Sequence, residues 1–155
     1  MGIFDKAFRL IKGNPGGVQE GQKSPRDIAV PAEELVRVDI VGESHYQREL
    51  ENLAGPKTED GVSVWISADL VPEPDNPYDK SAVSVQIDGV TVGYLSRARA
   101  KAFHRMMTDH MTPGESLTGI DAEIRGGWRR PGGDEGTFGL TLYLSSIVAG
   151  FLDRT

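Results

Sequence analysis

Tyr78, Asp79 and Lys80 set an aromatic face, a carboxylate acceptor and a cation side by side in the run Pro74-Asp75-Asn76-Pro77-Tyr78-Asp79-Lys80-Ser81-Ala82-Val83. Two prolines fix the backbone around an Asp-Asn pair, which predicts an ordered turn. Directly after it, Ala82–Ile87 alternates apolar and polar residues as a half-buried strand does. A rigid turn therefore delivers the three side chains to the mouth of a strand. Tyr78 could stack on a base or sugar, and Asp79 could accept a hydrogen bond from a terminal hydroxyl or a base edge. Such a carboxylate would suit a free terminal hydroxyl and repel a phosphate. The same residues also fit a plain turn, in which Asp79 bonds local amides and Tyr78 covers the core.

Three further groups could add to this chemistry. Gly42-Glu43-Ser44-His45-Tyr46 follows a predicted strand and precedes a predicted helix. Amides at such a helix start can hold a phosphate with help from the Ser44 hydroxyl, and His45 or Tyr46 could stack. Helix capping by Ser44 explains the same pattern. Arg97 and Arg99 open a long predicted helix, where they could hold phosphate or only face solvent. Arg125-Gly126-Gly127-Trp128-Arg129-Arg130 is basic with an aromatic inserted, as in single-strand platforms. Phe138, before the last strand, could supply a stacking face or sit in the core.

Catalytic and metal readings find no support. His45, His104 and His110 lack metal-ligand spacing, and the acidic run around Asp75 lacks EF-hand periodicity. No Gly-rich loop ends in Gly-Lys-Ser/Thr, so no ATP site of that type is expected. The expectation is a binding module without a cofactor or metal, not an enzyme.

These residues need a scaffold. Leu35–Val41 reads as a strand with Val36, Val38 and Ile40 on one face, and Tyr46–Ala54 as a short helix ended by Gly55-Pro56. Val62–Leu70 is a second strand. Asp88-Gly89 predicts a two-residue type I′ hairpin joining Ala82–Ile87 to Val90–Leu95. Ser96 can cap a helix running to about Met111, with Ala100, Phe103, Met106 and Met107 as its apolar stripe. Thr118–Trp128 and Gly136–Ser145 complete five or six short strands. The expected fold class is mostly β with two or three short helices, in a small barrel or strongly curved sheet.

The run Ile40–Tyr46, the block Asp75–Val83 and then Val92-Gly93-Tyr94-Leu95 together resemble the HIRAN domain, in that family's order and over roughly residues 36 to 145. The resemblance implies a small OB-like β-barrel that grips the 3′ end of single-stranded DNA, as in helicase-like fork-remodelling translocases, here without their motor. It also implies that Tyr78 and Asp79 are the family's site pair and that Arg97 stands where a family lysine contacts DNA. Phe138 loosely matches an aromatic contact residue. Where the best-known members carry an arginine and a tyrosine, an ungapped match places Ser44 and His45. The family's cation is therefore missing at that position.

At 155 residues the chain suits one domain with a tail. Residues 1–12 form a short amphipathic stretch with Ile3, Phe4, Ala7, Phe8 and Ile11 at helical spacing. Residues 13–33 read as a flexible linker and residues 34–150 as the barrel domain. The first stretch motivates a second reading, a protein-interaction or targeting adaptor that captures a partner through Ile3, Phe4 and Phe8. Cysteine is absent, which excludes disulfides and thiolate metal sites. No apolar run is long enough to span a membrane and no secretory leader is evident, so a cytoplasmic protein is expected, and the resemblance implies a role in DNA repair or replication. The net charge of −6 disfavours indiscriminate duplex binding. Residues 90–131 nevertheless hold seven basic against four acidic residues, which suits a short, local anionic ligand.

Overall fold

The computed structural model describes residues 34–154. The amphipathic stretch and linker expected before residue 34 lie outside the described residues. Six strands form one antiparallel sheet: β1 (Leu35–Asp39), β2 (Val62–Pro72), β3 (Val83–Ile87), β4 (Val90–Tyr94), β5 (Leu117–Gly126) and β6 (Phe138–Ser145), in the order β1-β6-β5-β2-β3-β4. Three short helices accompany them: α1 (Gln47–Ala54), α2 (Arg97–His110) and α3 (Ser146–Leu152). A 3-10 turn at Glu43–His45 leads into α1. This is the mostly β architecture expected from the residues, in the OB-like form that the resemblance implied.

The sheet curls until its ends meet. Just past β1, Val41 pairs antiparallel with Tyr94 of β4, and the two residues exchange both backbone hydrogen bonds at 2.8 Å. That pair closes the barrel. Gly93 permits the approach, because a Cβ there would lie 2.5 Å from Ile40 Cδ1 and 3.0 Å from the Val41 carbonyl oxygen. Two irregularities supply the curvature. In β5, Thr118 and Gly119 oppose only Asp69 of β2, and the Asp69 carboxylate accepts the Gly119 amide at 3.1 Å. In β4, Val92 is the extra residue where the β3–β4 register shifts. β2 pairs with β5 on one edge from Val62 to Leu70 and with β3 on the other from Asp69 to Pro72.

Local chemistry accounts for the remaining elements. Asp88 and Gly89 both have positive φ, 51° and 79°, as the expected type I′ hairpin requires. Ser96 caps α2 by accepting the Arg99 amide, and Ala100, Phe103, Met106 and Met107 are buried as expected, together with Ala102. The core also takes Leu50 of α1, Leu70, Val85, Ile120, Ile124, Leu142 and Leu144. Of the face expected for the first strand, Val38 and, just past β1, Ile40 are buried, but Val36 is exposed. α3 continues β6 without a break, Ser145 accepting the Val148 amide as its cap, and it buries Val148, Ala149 and Leu152. The folded unit thus extends past residue 150. No helix among the described residues is long and apolar enough to cross a membrane.

Candidate nucleic-acid interface

Where the barrel closes, its two ends form the walls of an open groove of about 950 Å³. His45 and Tyr46, at the end of the 3-10 turn, form one wall. The opposite wall is the β2–β3 turn from Pro72 to Asp79. Tyr94, Leu95, Arg97 and Ala100, from the end of β4 and the start of α2, complete the lining. Tyr78, Asp79, His45, Tyr46 and Arg97, separated by up to half the folded chain, are brought to one place.

The β2–β3 turn is ordered by its own hydrogen bonds. The Asn76 side-chain oxygen accepts the amides of Tyr78 and Asp79 at 2.9 and 3.0 Å. Asp79 Oδ1 accepts the Ser81 amide at 2.9 Å, and the Ala82 amide returns to the Asp79 carbonyl. From behind, His104 Nε2 lies 3.0 Å from the Ser81 carbonyl, a contact made by the tautomer carrying its proton on Nε2. Tyr78 stands clear of all this at 94% exposure. A tyrosine so uncovered contributes nothing to the core, and its whole face is open to a ligand.

The electrostatics are mixed. Asp79 Oδ2 lies 3.5 Å from Arg97 Nε, in a pair whose arginine side chain is 76% exposed. An exposed pair of this kind is weak, so Arg97 can exchange or share its carboxylate for a phosphate at little cost. Among the described residues, Arg97 is the one arginine or lysine in a lining that also holds Glu73, Asp75 and Asp79. Tyr94 donates from its hydroxyl to Glu73 at 3.1 Å. Burial first, then hydrogen bonding with Tyr46 and Glu73, pushes its pKa well above the ordinary value, so the phenol stays a donor. Its ring centroid lies 6.3 Å from that of Tyr46.

Other expected contacts are placed elsewhere. Ser44 is exposed in the middle of the 3-10 turn, outside the groove lining, and neither the turn nor α1 has a side-chain cap. The amides of His45 and Tyr46 donate to the carbonyls of Gly42 and Glu43, so they are engaged within the turn rather than presented to a phosphate. Phe138 is 2% exposed, and its backbone is clamped by the Gln47 side chain. It has no face to offer a base.

The basic segment around Trp128 folds on itself. Arg125 pairs with Glu123 at 3.7 Å, Arg129 with Glu135 at 2.7 Å and Arg130 with Asp134 at 3.1 Å. Lys57 also reaches Glu135, and these two cations hold its carboxyl below the usual range. The Trp128 ring lies so close to Gly136 that a Cβ there would overlap it, while the Arg130 guanidinium sits 5.5 Å from the ring centroid. Cations neutralised by near neighbours and a ring packed on backbone make a closed loop rather than an open platform. Among the described residues no cluster of His, Asp and Glu is placed to hold a metal ion.

Two residues central to the turn, Glu73 and Asn76, are absent from the sequence-level site. The available signal is the asparagine between two prolines, two residues before the tyrosine, which is the spacing of an Asx turn.

The family model for the HIRAN domain matches residues 34–117. The crystal structure of the HIRAN domain of human HLTF is similar at 18% identity and a TM-score of 0.33, covering 77% of this chain and 86% of that one. Among curated proteins none matches. The family match takes in both groove walls and more than half of the chain, and on it this protein belongs to the HIRAN family of DNA-binding modules.

Proposed function

We propose that this protein binds single-stranded DNA at a free 3′-OH end, with residues 34–152 as the binding unit. One observation carries the reading: the fully uncovered Tyr78 and the Asp79 carboxylate sit together on an ordered turn, with Arg97 3.5 Å from that carboxylate. In this reading Tyr78 stacks on the terminal base and Asp79 accepts from the 3′-OH. Arg97 leaves its carboxylate partner to hold the adjoining phosphate, and His45 and Tyr46 line the opposite side. The carboxylate that Arg97 releases disfavours a terminal phosphate by like-charge repulsion. No step of chemistry is involved, and the protein acts as a reader of strand ends in DNA repair or replication.

The test is fluorescence anisotropy with matched short oligonucleotides ending in 3′-OH or 3′-phosphate, titrated with wild type and Asp79→Ala. Wild type should prefer the 3′-OH oligonucleotide, and the substitution should remove the preference. Equal affinity of the wild type for both ends would sink the end-recognition reading.

A further inference from the structure

The turn bearing Tyr78 and Asp79 projects from the ends of β2 and β3, and something must hold it against the rest of the groove. Glu73 makes that connection. Its amide donates to the Ala82 carbonyl at 2.9 Å and its own carbonyl accepts the Asn76 amide at 3.0 Å, closing the neck of the turn. Its side chain does more. A single oxygen, Oε1, accepts from Asn76 Nδ2 at 3.0 Å and from the Tyr94 hydroxyl at 3.1 Å. The other side-chain atom of Asn76 accepts the amides of Tyr78 and Asp79. A continuous series of hydrogen bonds thus runs from β4, through Glu73 and Asn76, to the backbone of the two recognition residues. Its fixed end is well chosen, because Tyr94 is the residue whose backbone closes the barrel with Val41.

A surface glutamate bonded within its own turn would ordinarily be a local stabiliser. Here the carboxylate instead joins the turn to the opposite wall, where Tyr46 and Tyr94 stand ring to ring. Hydrogen bonds to an ionised acceptor are stronger than neutral ones and more demanding of geometry. We infer that Glu73 is a positioning residue, which sets Tyr78 and Asp79 against the Tyr46–Tyr94 wall and thereby governs discrimination of the strand terminus. The inference rests on the end-binding reading above.

The test uses the full chain with Glu73→Ala and Glu73→Gln. Alanine removes the acceptor for both donors, whereas the glutamine carbonyl can still accept from both while carrying no charge. Glu73→Ala should weaken binding of the 3′-OH oligonucleotide about tenfold and shrink its advantage over the 3′-phosphate form. Glu73→Gln should restore most of both. Amide hydrogen exchange on the DNA-free protein provides an independent arm: Tyr78 and Asp79 should exchange faster in the alanine variant and near the wild-type rate in the glutamine variant. Unchanged exchange in Glu73→Ala overturns the inference, and so does faster exchange with end discrimination intact. If the wild type binds no DNA, the end-binding reading and the discriminating role fall together. The exchange arm then still decides whether Glu73 anchors the turn.

Discussion

At the scale of single residues, the groove separates side chains that hold the fold from those that the fold only presents. Tyr78 is the clearest of the second kind, since at 94% exposure its removal disturbs no packing. Tyr78→Ala should therefore leave the thermal midpoint near the wild-type value. It should weaken single-stranded DNA binding by about 1–3 kcal/mol, the range for loss of one base–aromatic stack. Anisotropy titration beside a calorimetric melt checks both halves, and a large drop in midpoint with unchanged affinity would reverse the assignment. The ordered turn that carries Tyr78 and Asp79 was legible in the sequence because prolines and Asx chemistry act over a few residues. Phe138 and Trp128 were not. Whether an aromatic faces ligand or core depends on partners such as Gln47 and Gly136, which local pattern does not reveal.

At the scale of elements, strands and helices with strong local signals formed where periodicity placed them: β2, the β3–β4 hairpin and α2. α3 escaped because Ser145 ends a strand and caps a helix at once, with no glycine or proline between the two patterns. The approach of β1 to β4 was also invisible, because it depends on long-range geometry at Gly93. Gly93→Ala tests it. The new Cβ would press on Ile40 and on the Val41 carbonyl oxygen. Ile40 can rotate away but backbone cannot, so a destabilisation of about 1–3 kcal/mol is expected, measured by urea denaturation. A matched Gly89→Ala, at a site where nothing lies within 4 Å but φ is +79°, would report backbone strain alone.

At the scale of the whole molecule, charge limits what the groove can hold. The chain carries a net charge of −6, and the groove lining sets Arg97 beside the carboxylates of Glu73, Asp75 and Asp79. The basic segment that looked available in the sequence, Arg125 to Arg130, is internally paired with Glu123, Asp134 and Glu135. With one or two phosphates engaged, log K should fall against log salt with a slope of about −0.7 to −1.4. A titration series across salt concentrations checks this, and a much steeper slope would mean that a second basic surface takes part.

The junction between Val41 and Tyr94 has a consequence for how the barrel responds to being filled. Among the described residues the joint is made by one isolated backbone pair rather than a ladder of pairs. His45 and Tyr46 lie just beyond one side of the joint, and Leu95 and Arg97 just beyond the other, all facing the same groove. An occupant touching both sides acts as mortar across the joint. By mass action, whatever free energy it gains by bridging the joint is added to the stability of the folded barrel.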